Sequence, residues 1–161
     1  LKYLNDIIFR GYFMPNNGTN FRDALAREIE SWNAGITVLK ERYVGYRFLN
    51  TARKIDLVVK YENKFLGIEA KLQQTPGTAY QKLSYTLDDI RNCPIPTIIV
   101  FSGDAIKDDM KSKLIVSGLG LEVNYIEDEA NHLNDQIIDY HFLFRQRVYI
   151  ELGLDWFTLQ L

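Results

Sequence analysis

Apolar and polar positions along the chain divide it into short elements of two periodicities. Phe21, Ala24, Leu25, Ile29 and Trp32 recur at helical spacing, so a helix is expected over 21–33, with Asn20 as N-cap after a loop at 14–18 and a stop near Gly35. A shorter helix over 2–10 would end at Gly11. Ile36, Val38, Leu39 and Tyr43 suggest a strand over 36–43. Residues 54–61 and 65–72 alternate more cleanly and predict a hairpin turning at Glu62-Asn63-Lys64. Pro76 and Gly77 interrupt the chain before a helix over 78–92 with Leu83, Leu87 and Ile90 on one face. Beyond Pro94 and Pro96, Thr97–Phe101 is apolar without alternation, the pattern of a strand buried on both faces and reached by a helical crossover. A helix near 105–117, a strand near 121–126 and a long helix over 134–152, with Gly153 at its C-cap, complete the reading. The order from residue 20 is α-β-β-β-α-β-α-β-α. It indicates an α/β fold with a central mixed sheet of about five strands flanked by helices.

Side-chain alternation in the hairpin sorts its residues by face. Leu66, Ile68, Ala70 and Leu72 share one face of the second strand, and Gly67, Glu69 and Lys71 the other. Ile55, Leu57 and Val59 form the apolar set of the first strand, leaving Asp56, Val58 and Lys60 opposite. Matching apolar to apolar requires even-numbered residues to pair with odd-numbered ones. A two-residue turn at Asn63-Lys64 or a four-residue loop over 62–65 satisfies this, placing Asp56 across from Lys71 and Glu69 across from Val58. All three polar residues then project from one face. Charges on a solvated strand face explain such a pattern equally well. A hairpin central in the sheet would instead bury them, and buried carboxylates beside a lysine need a metal or a network to compensate.

Composition narrows the field. The 161 residues fit one domain, 1–161, with 47% hydrophobic and 25% charged residues. No apolar run has the length of a spanning helix, so no membrane segment is expected. A signal-peptide pattern is lacking at Leu1-Lys2-Tyr3, as is an initiator Met, which fits a chain trimmed or cut from something longer. Cys93 is the one cysteine, which excludes an internal disulfide framework and suits a reducing cytoplasm. A net charge of −2 argues mildly against a generic nucleic-acid binder, although Lys40, Arg42, Arg47, Arg53 and Lys54 cluster, as do Arg145 and Arg147. His132 and His141 have no ligand spacing, so a zinc site is not expected.

Two carboxylates with a backbone oxygen and water suit a hard cation such as Mg²⁺, which keeps several waters and binds substrate phosphate. Such an ion polarises a phosphate and acidifies an attacking water, and a neighbouring lysine orients that water or offsets developing charge. Asp56, twelve intervening residues, and then Glu69-Ala70-Lys71 resembles the PD-(D/E)XK nuclease superfamily, with Ile55 where the nominal proline would stand. The element order over about 20–103 is similar to that superfamily's common core, while 104–161 is a helical and strand extension without a motif. The resemblance implies a restriction-endonuclease-like fold and a Mg²⁺-dependent deoxyribonuclease, with Mn²⁺ able to substitute.

In that frame Asp56, Glu69 and the Ala70 carbonyl would bind the metal and Lys71 would orient the water. Glu28 falls near the middle of the first helix's apolar face and needs a partner there; the resemblance offers a second metal or water, and a rim arginine is the plainer account. Gln81 and Tyr85 lie one turn apart, a Gln-x-x-x-Tyr spacing similar to RecB-like members that use it to support the site and contact DNA. Gln81 also completes a capping box with Thr78. Arg53, Lys54 and Lys82 are further candidates for DNA contact. The 77–82 segment looks more like a restriction-type endonuclease, whereas the Gln-x-x-x-Tyr spacing points toward an exonuclease or DNA-repair nuclease. A non-cleaving nuclease-like DNA-binding module remains the third alternative. The partners expected are DNA and either a second copy in a homodimer or the rest of a larger nuclease.

Overall fold

The computed structural model describes residues 17–77, 79–157 and 159, so the helix expected over 2–10 lies outside the described residues. Its elements run α1 (Asn17–Ser31), β1 (Thr37–Tyr46), β2 (Ala52–Tyr61), β3 (Lys64–Leu72), α2 (Ala79–Ile90), β4 (Thr97–Ser102), α3 (Asp108–Val116), β5 (Gly120–Glu122), β6 (Asn124–Ile126), β7 (Gln136–Ile138) and α4 (Leu143–Leu152). Strands β1 to β5 form one sheet in sequence order. The first three pair antiparallel; β4 then adds parallel to β3, and β5 parallel to β4. The fold is therefore the expected α/β arrangement around a mixed five-stranded sheet.

Each face of the sheet has its own core. Leu57 and Val59 of β2, Leu66, Ile68 and Ala70 of β3, and Ile98 and Val100 of β4 pack under the stripe Phe21, Ala24, Leu25 and Ile29 of α1 and under Phe144 and Val148 of α4. Ile99 and Phe101, the alternate residues of β4, pack instead against Leu83, Leu87 and Ile90 of α2 and Met110 and Leu114 of α3. Strand β4 is buried at every position because helices cover both its faces, which accounts for its unbroken apolar run.

Several boundaries differ from the sequence expectation. Helix α1 starts at Asn17, so Asn20 lies inside the helix and is buried rather than capping it. The strand expected over 121–126 is two strands. Val123 turns into the core between them, and β6 leaves the main sheet to pair with β7 as a two-stranded ribbon. No single helix spans 134–152. Its first part is β7 and a 3-10 turn over Tyr140–Phe142, with His141 (φ +60°) and Phe142 (φ +56°) left-handed. Asp139 sets the helix start, since its two carboxylate oxygens accept the Phe144 and Arg145 N–H groups that a helix leaves unpaired. The other end behaves as expected: Gly153 is left-handed (φ +71°), and the Gly153 and Leu154 N–H groups close back on Ile150 and Tyr149.

The β1–β2 connection also carries left-handed backbone. Strand β1 bulges between Tyr43 and Tyr46, where Gly45 takes φ +64° and so avoids the penalty a side chain would meet. The tip is a 3-10 turn over Phe48–Asn50 in which Leu49 (φ +63°) and Asn50 (φ +56°) are also left-handed. An Arg47 N–H to Thr51 carbonyl bond of 2.7 Å closes it.

Candidate active site

Pairing along the β2–β3 hairpin fixes where the polar residues meet. Tyr61 pairs with Lys64, so the two-residue turn is Glu62-Asn63, with Glu62 left-handed (φ +51°). The even-to-odd parity holds, but the ladder is slid by two residues from the expected register: Val58 faces Gly67 rather than Glu69. The last registered pair is Leu57 with Ile68, so Asp56 lies beyond the paired part of the ladder and is not paired with Lys71. There a side chain enters the gap between strands, as the Ala70 N–H donates to Asp56 Oδ2 at 2.9 Å.

Alternation puts Glu69 and Lys71 on the α2 side of the sheet, beside Ile99 and Phe101 of β4. Lys71 Nζ bridges the carboxylates, 2.7 Å from Glu69 Oε2 and 3.7 Å from Asp56 Oδ2. Those contacts leave the two carboxylate oxygens at most about 6.5 Å apart. Two direct ~2.1 Å bonds span only ~4.2 Å, so at that limit one Mg²⁺ would join them only with a coordinated water on one side. Glu69 is buried (3% exposed), and its other oxygen, Oε1, is buried without a hydrogen bond. The Arg47 guanidinium lies 4.0 Å from Oε1. Burial pushes the Glu69 carboxyl above its ordinary range, with the Asp56 charge adding to the effect and Lys71 opposing it. Burial disfavours the charged Lys71 ammonium as well, but Glu69 and Asp56 outweigh it and raise its pKa.

A second network holds the cleft wall. Asp89 of α2 accepts Arg53 Nη2 at 2.9 Å and Arg47 Nε at 3.1 Å, and Arg53 Nη1 donates to the Val44 carbonyl. Burial opposes ionisation of Asp89, yet the two arginines together hold its carboxyl below the usual aspartate range. Arg47, Glu69, Lys71, Lys82, Tyr85, Thr86 and Asp89 line a cleft of about 280 Å³.

These positions revise several expectations. Arg53 is fully buried in its ion pair and is no DNA-contacting group. Lys54 is exposed and paired with Glu41 at 3.1 Å. Lys82 and Tyr85 do line the cleft, whereas Gln81 is exposed on α2 and is not part of the lining. Thr78, its capping-box partner, is outside the described residues. Glu28 does not join the cluster: α1 covers the opposite face of the sheet, and Glu28 Oε1 accepts from Trp32 Nε1 at 2.9 Å beside β7. Among the described residues no three of His, Cys, Asp and Glu gather as a metal cage. Two carboxylates and a backbone oxygen are the available protein donors, a set suited to a hydrated Mg²⁺ and too sparse for zinc. The buried, unbonded Glu69 Oε1 and the cation already seated between the carboxylates fit that role.

A known family, described as the PD-(D/E)XK nuclease superfamily domain, matches residues 16–123, which carry α1 through β5 and the whole carboxylate cluster. The chain belongs to this superfamily. Among solved structures it is similar to protein of unknown function AF1548, with 14% identity over 83% of this chain and 79% of that one at a TM-score of 0.46. It is also similar to SfsA of Pyrococcus furiosus in complex with Ca²⁺, with 14% identity over 65% of this chain and 54% of that one at a TM-score of 0.38. No curated protein matches. No helix among the described residues of this PD-(D/E)XK domain is long and apolar enough to cross a membrane.

Sequence reasoning missed Asp89 and undervalued Arg47. One signal was available: in sequence Arg53 stands where the alternation of Ile55, Leu57 and Val59 calls for an apolar residue, and a charge there needs an acid partner, although that partner, Asp89, is on α2 while Leu57 and Val59 pack under α1. Which acid answers it is a matter of how α2 docks, and α2 offers both Asp88 and Asp89.

Proposed function

We propose that this domain is a Mg²⁺-dependent endodeoxyribonuclease of restriction type, acting on DNA as a homodimer and accepting Mn²⁺ in place of Mg²⁺. The observation that carries this is one ammonium shared by two carboxylates, one of which keeps a buried oxygen without a hydrogen bond. Asp56, Glu69 and the Ala70 carbonyl would hold the ion, which when bound supplies Lewis-acid polarisation of the phosphate and an acidified water. Lys71 is held charged by its two carboxylates. Lys71 would orient the attacking water in line with the phosphorus. Lys82 and Tyr85 on the cleft wall contact the DNA backbone, and Arg47 adds positive charge at the same wall.

The test is cleavage of supercoiled plasmid. Mg²⁺ should support nicking and linearisation, EDTA should stop both, and Lys71→Ala should cut at least ~10²-fold more slowly. Equal cutting by the variant, or cutting in EDTA, overturns the mechanism. Cutting confined to linear DNA would instead identify an exonuclease.

A further inference from the structure

Phe48 and Leu49 at the β1–β2 tip are 83% and 82% exposed, the barest pair of adjacent large apolar side chains among the described residues. They sit on a rigid mount. Arg47, the residue before them, is fastened by its backbone to Thr51 and by its side chain to Asp89, and Arg53 anchors the returning strand to the same aspartate. Leu49 is held in a left-handed conformation that a branched side chain resists, and Asn50, a residue that tolerates it, follows in the same region. Strain maintained at an exposed apolar tip calls for a use of that tip.

We infer that Phe48 and Leu49 form a wedge that enters the base stack beside the scissile phosphate, and that among duplexes the domain prefers those whose stacking is interrupted, as at a nick. This rests on the nuclease reading above and narrows its substrate class. Position supports it: the guanidinium of Arg47 lies 4.0 Å from Glu69 Oε1, so the tip starts one residue from a side chain that reaches the carboxylate cluster. Charge supports it as well. Arg47 and Lys82 line the cleft beside the tip, and Arg42 is exposed on β1. Apolar side chains flanked by cations match bases flanked by phosphates. A second copy of the chain would bring like charges together around the same patch. Duplex with a broken stack costs least to open, so a wedge selects for it.

The experiment uses a duplex with 2-aminopurine next to a nick and the same duplex with continuous strands. Both are saturated with protein in EDTA, so that insertion is read without cleavage. Wild type should raise the fluorescence of the nicked duplex severalfold and that of the continuous one much less. F48S/L49S should keep the wild-type melting temperature and lose the rise, while Phe157→Ser, which alters another bare aromatic, should keep it. No rise with wild type, or a rise that survives in F48S/L49S, overturns the wedge. So does a wild-type dimer that F48S/L49S converts to monomer in sedimentation, because the tip is then a subunit contact. Plasmid cutting without a fluorescence rise removes the wedge and leaves the nuclease; a rise without cutting does the reverse.

Discussion

At Glu69 one carboxyl would meet two opposed demands, because the metal ligand proposed for it must be ionised while a buried carboxyl resists ionisation. Burial has the larger effect in the free protein and lifts its pKa above the ordinary 4.5. At sub-saturating Mg²⁺, where the free carboxyl must ionise to take the ion, cleavage should therefore rise with pH through that raised value, and the acid limb of the pH–rate profile should fall on the alkaline side of an ordinary glutamate. A limb at or below the ordinary value would contradict this. The stability effect has the opposite sign. A group with a raised folded pKa stabilises fully below its unfolded value, and that contribution is lost as pH rises through the folded one. Glu69→Gln should abolish cleavage, and wild type should gain stability relative to it as pH falls through the raised value; at neutral pH the lost Lys71 pair offsets the relief of a buried charge. Urea titrations across that range measure it.

Between elements, the Arg47–Asp89–Arg53 network is the joint that fastens the β1–β2 hairpin to α2. Asp89→Ala strands a fully buried arginine and should cost about 3–5 kcal/mol in denaturant unfolding, while a surface carboxylate change would cost well under about 1 kcal/mol. Asp89 has a depressed pKa, so its contribution is present above the ordinary aspartate value of 3.8 and lost as pH falls through the folded one. The variant should accordingly lose part of the acid-induced destabilisation. The elements themselves were written plainly wherever one periodicity ran long enough. Strands β2 and β3 alternate, β4 is apolar throughout, and α1 and α2 carry clear stripes. Residues 121–152 were not legible in that way. Strands β6 and β7 are three residues each, too short to show a period, and only their mutual pairing defines them. Hairpin register was legible in parity alone, since apolar matching is blind to a slip of two.

On the scale of the whole molecule, the sheet is a partition. It puts the carboxylates on the α2 side and Glu28 on the α1 side. Glu28→Gln should leave the cleavage rate within about twofold, where removal of a group acting in the reaction would cost about 10²-fold or more. The helical wheel puts Glu28 near the middle of the apolar face of α1, where the structure leaves it half-buried beside Trp32; which face of the sheet that side meets is a tertiary fact that no window of sequence contains. Metal should also be felt globally. An ion that binds only the folded chain stabilises it by about 2.7 kcal/mol at 100 times its dissociation constant, for a rise of roughly 5–10 °C in melting temperature. Asp56→Asn should abolish most of that rise in a calorimetric scan.

The bond from the Ala70 N–H to Asp56 Oδ2 ties one main-chain proton directly to a proposed metal ligand. When the carboxylate donates electron density to a cation, it becomes a poorer acceptor, and the amide resonance of Ala70 should move upfield in proportion to occupancy. A single labelled backbone position thereby becomes a spectroscopic gauge of loading. It reads the ion's affinity in nucleic-acid-free solution, without any substrate being turned over.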